Sequence, residues 1–375
     1  MRPECKRWLD SKIAKIQGRE SYSPELTNDE IARKYGLKSS EIIKLNYNEN
    51  LFLPRDRQIA LLQEVADECD LRIYPQDQEE RLKERIAEYL QVSSSCIAIG
   101  NSSDEVMERV IRMFVEKGDT AVTFTPTFSV FKCCVNFAGA EYVGVPLRED
   151  FSLDVAGMRV AFTAEARILY LCSPNNPTAT QLKRREIETL MEEFPGIVLV
   201  DEAYAEYADY SVVPLIGKYE NLIVLRTFSK AFGLAGLRLG YAVANPRLAS
   251  TINKLPAPYA ISVISLSMGR KLLENIAIVK ESVQALRAER RKLITELNKL
   301  KGVEAFDSKT NFVTFNVGKS YEEVYIDCLK QGLIIKKLGK LQKYPNCLRT
   351  TVGTSEMNRR LLAALRKEFG EKNEN

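Results

Sequence analysis

The chain has 375 residues, 45% of them apolar, which is enough for one large domain and a smaller one around a sizeable core. Its 54 basic and 50 acidic residues leave a net charge of +4, too even a balance for a dedicated nucleic-acid surface. It contains no histidine, which excludes imidazole bases and histidine triads and leaves acid-base chemistry to Lys, Asp, Glu, Tyr or Cys. The eight cysteines include no Cys-x-x-Cys spacing, so no metal site is expected and the thiols are read as reduced, which points to a cytoplasmic location. Met1 to Asp10 is charged with no apolar core behind it, and no run approaches a bilayer span.

Along the chain, Leu26 to Ile43 reads as two short helices around a turn at Gly36, imitating the start of a helix-turn-helix. A DNA-binding regulator is therefore one reading of this segment. The strand-like Lys44-Leu45-Asn46 leaves no room for a complete module, and an N-terminal arm packed on the body is the other. A helix is predicted from Asp77 to Leu90, capped by Asp77 and apolar at Leu82, Ile86 and Leu90. Short apolar runs follow at Ile97–Ile99, Ala121–Phe124, Tyr142–Val145, Ile168–Leu171, Ile197–Val200, Leu222–Leu225 and Tyr241–Ala244. Amphipathic stretches such as Asp104–Val115 and Lys183–Phe194 lie between them. This alternation predicts an α/β fold, a mostly parallel sheet with helices on both faces, three layers in all.

After Pro256-Ala257-Pro258 a long helical stretch is expected over about Ser262–Leu300. Strand candidates follow at Asn311–Phe315, Gly332–Lys336 and Leu348–Val352, with a last helix from Ser355. The expected division is an arm over 1–44 that contributes to the small domain, a large domain over 45–260 and a smaller α/β domain over 261–375.

The residues with chemical potential fall at the ends of the predicted strands, where ligands of such sheets bind. Lys230 stands in Arg226-Thr227-Phe228-Ser229-Lys230, with Arg238 downstream. Fixed positive charge and burial disfavour its ammonium form, giving an amine able to form a Schiff base. Thr227, Ser229 and Arg238 are donors of the kind that hold a phosphate. An aldehyde-reactive lysine beside a phosphate cradle points to pyridoxal 5'-phosphate. On its own the Ser-Lys pair is equally compatible with a solvated strand-to-helix turn.

Asp201-Glu202-Ala203-Tyr204 follows another strand, and a carboxylate there can hold a protonated pyridine nitrogen, or cap a helix. Ser102 and Glu105 read as a capping box, opening a helix N-terminus to an anion, with Arg238 opposing the two acids of its first turn. Cys172 to Thr178 forms a proline-stiffened loop whose asparagines can bond a ligand or the turn itself. Phe128 can stack on a planar ring or pack in the core.

Taken in order, several segments resemble fold type I pyridoxal-phosphate-dependent aminotransferases, most closely the histidinol-phosphate aminotransferases. They are Lys44–Asn50, Arg72–Pro75, Gly100–Glu105, Ser173–Thr178, Asp201–Tyr204, Arg226–Tyr241, Thr310–Val313 and Leu348–Thr354. The resemblance covers nearly the whole chain. It implies that Lys230 carries the cofactor and shuttles the proton, that Asp201 pairs with the pyridinium, and that Tyr204 and Asn176 bond the ring oxygen. It further implies phosphate binding by Ser103, Asp104, Thr227, Ser229 and Arg238, stacking by Phe128, and a homodimer in which Tyr74 reaches the neighbouring cofactor. The substrate would meet Arg349, Tyr22, Asn176 and Lys336.

The implied reaction converts L-histidinol phosphate and 2-oxoglutarate to imidazole-acetol phosphate and L-glutamate. An aromatic or other amino-acid aminotransferase, a threonine-phosphate decarboxylase and a non-catalytic regulator are the alternatives. Four positions depart from the family pattern. Ser102 and Ala179 stand where glycine is usual, Lys336 where a second arginine is usual, and Ala260 where asparagine is usual.

Overall fold

The computed structural model describes residues 2–18, 27–255 and 257–372. Tyr22, Leu26 and Pro256 lie outside the described residues. A seven-stranded sheet contains β1 (Ile97–Gly100), β2 (Thr120–Thr125), β3 (Glu141–Pro146), β4 (Ala166–Cys172), β5 (Ile197–Asp201), β6 (Leu222–Thr227) and β7 (Gly240–Ala244). Their order is β1-β7-β6-β5-β4-β2-β3. Only β7 runs against its neighbours; the pairings among β2 to β6 are parallel. All residues of β6 and β7 are buried. Successive side chains point to opposite faces, so both faces of the sheet are covered there, as the unbroken apolar runs predict.

A second sheet, antiparallel and four-stranded, is built from β8 (Val303–Ala305), β9 (Phe312–Val317), β10 (Lys336–Leu341) and β11 (Tyr344–Thr351), in the order β10-β11-β9-β8. The strand predicted over Gly332–Lys336 is divided. Leu333–Ile334 pairs in parallel with Ile43–Lys44, and Lys336 opens β10. The segment after Lys44 ties the sheets together. Thr351 N donates to the Leu45 carbonyl (2.7 Å) and Asn311 Nδ2 to the Asn48 carbonyl (2.7 Å). Asn50 Nδ2 donates to the Ala231 carbonyl (2.7 Å) in the loop after β6.

Three local expectations need correction. The long helix over 262–300 is two helices, Val263–Glu274 and Ile276–Asn298, separated by Asn275 at φ −110°, ψ 36°. The Asn275 amide donates to the Lys271 carbonyl (2.9 Å) and so caps the first helix, a side-chain competition that hydrophobic periodicity does not register. Asp77 precedes the helix Gln78–Leu90 without capping it, since its carboxylate pairs with Arg81 at 2.6 Å instead. In the arm, Asn28–Tyr35 is a helix closed by left-handed Gly36, but only the single turn Ser39–Glu41 follows before the strand. No helix among the described residues is long and apolar enough to cross a membrane.

One buried ion network stiffens the loop after β5. Arg226, on β6, donates to Glu202 (Nε, 2.9 Å), Glu206 (Nη1, 2.9 Å) and the Ser211 hydroxyl (Nη2, 2.9 Å). Glu202 also accepts the Val212 amide at 2.6 Å. All three charged side chains are nearly sealed from solvent. Removing one member of such a cluster strands the opposite charges in a dry site. Arg226→Ala should therefore destabilise the fold by about 3 to 5 kcal/mol, read as a lowered urea midpoint.

Candidate active site

A cleft of about 320 Å³ opens at the carboxyl ends of the parallel strands. It is lined by Ser103, Asp104, Phe128, Asn176, Asp201, Tyr204, Thr227, Ser229, Lys230, Arg238, Lys336 and Arg349, twelve of the residues singled out from the sequence. Two others remain, and only one of them can be placed. Tyr22 lies outside the described residues, and Tyr74 sits on the surface, 73% exposed, stacked on Tyr259 with ring centroids 4.9 Å apart.

Lys230 follows β6 and its Nζ donates to the Tyr47 carbonyl at 3.1 Å. Burial, and next the Arg349 guanidinium, push its pKa down from 10.5 to about 8. The direction is the expected one, but the cation chiefly responsible is Arg349, with Arg238 contributing less. Arg226 is instead paired with Glu202 and Glu206.

Asp201 ends β5, with Oδ2 accepting the Tyr170 hydroxyl (2.7 Å) and Oδ1 the Ala203 amide (3.0 Å). Burial raises its pKa to about 6 against the pull of these two donors. Tyr204 is buried and held neutral, its pKa pushed well up by desolvation, and its hydroxyl accepts from Asn48 Nδ2 at 2.9 Å.

Across the cleft, β10 and β11 supply the opposing wall, with Lys336, Leu338 and Arg349. Arg349 donates to Asn176 Oδ1 (2.6 Å) and to the Asn46 carbonyl (2.8 Å), and lies over the Phe312 ring at 5.0 Å. Lys336 is the direct cross-strand partner of Arg349, so two cationic side chains share one face of the small sheet.

The other end of the cleft has the character of an anion cradle. The helix Ser103–Phe114 points its N-terminus there. Ser102 is its N-cap, accepting from Glu105 N at 3.4 Å. The expected capping box is only half formed, because the Glu105 carboxylate takes Asn101 N (3.2 Å) and pairs with Arg109 (2.5 Å). Arg238 thus faces one acid, Asp104 at 3.1 Å, and reaches the Ser229 hydroxyl at 3.5 Å. Gly240 lets β7 pass close to the start of this helix, because a Cβ there would stand 2.2 Å from Ser103 N. Ser102 (φ 81°) and Ala179 (φ 64°) both occupy the left-handed region, where glycine is unstrained.

The sequence reading did not assign Asn48, Tyr47, Cys172 or Tyr170 to the site. Asn48 carried a signal in the polar alternation Asn46-x-Asn48-x-Asn50, three buried asparagines at strand spacing. Tyr170 and Cys172 carried none, being submerged in an apolar strand.

A half-buried amine, a buried carboxylate and an anion cradle in one cleft match the donor set of an enzyme that holds a phosphorylated, aldehyde-bearing aromatic cofactor. The chain belongs to the aminotransferase class I and II family, whose model matches residues 40–365. It is 37% identical over 325 residues to a histidinol-phosphate aminotransferase of Thermoanaerobacter pseudethanolicus, covering 86% of this chain and 92% of that one. A histidinol-phosphate aminotransferase of Halalkalibacterium halodurans is 36% identical over 93% of this chain and 95% of its own. Among solved structures, the histidinol-phosphate aminotransferase of Sinorhizobium meliloti in complex with pyridoxal-5'-phosphate superposes with a TM-score of 0.82. That pair is 27% identical, over 94% of this chain and 95% of the other.

The electrostatic origin of the lysine's acidity can be tested directly. In cofactor-free protein, acylation of Lys230 by acetic anhydride should titrate with a midpoint near pH 8, because only the neutral amine reacts. Arg349→Met should move the midpoint upward, read by peptide mapping across a pH series.

Proposed function

We propose that this aminotransferase exchanges an amino group between L-histidinol phosphate and 2-oxoglutarate, giving imidazole-acetol phosphate and L-glutamate. The observation that carries the reading is the pair of cross-strand cations, Lys336 and Arg349, facing Lys230 across the cleft. Such a pair suits substrates that end in a phosphate or a carboxylate, and the relatives named above act on the phosphate ester.

Pyridoxal 5'-phosphate is the cofactor, as in this family, and when bound it supplies an electron sink for the carbon that bears the substrate nitrogen. The donor set fits it end to end. Lys230 Nζ, with its lowered pKa, would hold the cofactor through its aldehyde and, as the nearby amine, would take and return the substrate proton. Asp201 would hold the proton on the ring nitrogen. Tyr204 and Asn176 would bond the ring oxygen, and because Tyr204 already accepts from Asn48, its own proton is free to be given away. The amides of Ser103 and Asp104 and the side chains of Thr227, Ser229 and Arg238, all on the cleft wall, would hold the phosphate, and Phe128 would cover the ring. Arg349 binds the acidic end of either substrate in turn, helped by Lys336 and by Tyr22.

Lys336 in place of arginine keeps the charge but gives up the two-pronged fork, so phosphate is held as a point charge. A homodimer completes the proposal. Tyr74, Ile73, Leu71 and Tyr259 form an exposed apolar and aromatic surface away from this chain's own cleft, suited to serving a second one. A cytoplasmic setting agrees with eight cysteines that are all free thiols.

A glutamate-coupled assay decides the substrate. Turnover of L-histidinol phosphate is expected, whereas turnover of phenylalanine or tyrosine without it would overturn the assignment and keep the class. Lys230→Ala should abolish the visible absorbance of the bound cofactor and cut turnover by about a thousandfold or more. Lys336→Ala should raise KM for the phosphate ester by about tenfold, and Lys336→Arg should restore it.

A further inference from the structure

Tyr170 has no part in the mechanism above, yet it touches the carboxylate on which the cofactor reading depends. It lies in β4, two residues before the strand end, and is fully buried. Its ring stacks on Phe131, with centroids 4.3 Å apart and planes 11° from parallel. Its carbonyl is pinned by the Thr123 hydroxyl at 2.7 Å. The side chain therefore has neither room nor backbone freedom to turn away. β4 and β5 pair in parallel, with Tyr170 opposite Leu199 and Cys172 opposite Asp201. Tyr170 and Asp201 are thus diagonal neighbours on one face of the sheet.

The hydroxyl meets Asp201 Oδ2 at 2.7 Å, a distance usual for a donor facing a charged acceptor. Ala203 N holds the other oxygen at 3.0 Å. These two donors are what opposes burial at Asp201, and Tyr170 contributes the larger pull. Burial also keeps the phenol itself neutral, so it donates without adding charge to a dry site.

We propose that Tyr170 is a positioning residue for Asp201, its hydroxyl orienting the carboxylate and holding it ionised so that its remaining lone pairs meet the cofactor's ring nitrogen. A phenylalanine would pack equally well against Phe131, so packing alone does not require the oxygen. The inference rests on Asp201 serving pyridoxal phosphate, and its test separates the two claims.

Affinity for pyridoxal 5'-phosphate is measured by visible absorbance titration, with kcat and KM for glutamate, in four proteins: native, Tyr170→Phe, Asp201→Ala and the double variant. In the native background Tyr170→Phe should weaken cofactor binding and lower kcat by about tenfold each, the range for a hydrogen bond to a charged group. KM for glutamate should stay within about twofold, the margin for uncoupled changes. In the Asp201→Ala background the same substitution should change affinity by less than about twofold. Equal losses in both backgrounds, or no loss in the native one, would overturn the proposal.

Should native protein take up no pyridoxal phosphate, the cofactor reading fails, and Tyr170 is then judged by carbon NMR of the labelled Asp201 carboxyl. The groups facing it, Asp104, Glu202, Cys172 and Tyr204, are unchanged by the substitution. Its titration midpoint must rise in Tyr170→Phe, and an unmoved midpoint rejects the role.

Discussion

A primary amine and a carboxylate, both withdrawn from water, border the same cleft without pairing with each other. Lys230 Nζ donates a hydrogen bond to the Tyr47 carbonyl, and Asp201 accepts from the Tyr170 hydroxyl and the Ala203 amide. A direct ion pair would have quenched both groups. Kept apart, each sits near the pH at which it can change state, the amine losing its proton more readily and the acid holding one more tightly. The rest of the architecture serves this separation. Parallel strands deliver the two groups from adjacent ends, β5 for Asp201 and β6 for Lys230, and the Arg226 network fixes the loop between them.

The second sheet is what turns a cofactor cradle into a substrate site. β11 places Arg349 opposite the strand ends, and β10 sets Lys336 beside it by simple cross-strand register. The segment from Leu45 to Asn50 runs between the two sheets and bonds to both, through Thr351, Asn311 and Ala231. In passing it also supplies Tyr47 and Asn48 to the catalytic groups. A run of three buried asparagines is therefore structural glue and part of the site at once.

Much of this was legible in the sequence because covered parallel strands leave unbroken apolar runs, and all seven runs became strands of one sheet. Strand ends followed from them, and with them Lys230, Asp201, Asn176 and Ser103. What escaped was set by geometry between distant segments. The acidity of Lys230 was read from Arg226 and Arg238, its neighbours in the chain, but strand alternation turns Arg226 into an acidic network, and the effective cation lies 119 residues downstream at Arg349. The break at Asn275 depends on a side chain capping its own helix, and the hydroxyl of Tyr170 is indistinguishable from core until its strand is placed beside β5. Ser102 and Ala179 stood out as departures from glycine, and the backbone shows why glycine is usual there: both need a left-handed turn.

The arrangement around Arg349 has an electrical corollary. After burial, that guanidinium is the strongest influence driving the proton off Lys230. Any anion settling on it cancels part of its field, so the amine becomes more basic whenever the far wall is filled. Occupancy at one side of the cleft is thereby translated into proton affinity at the other, with no moving part required.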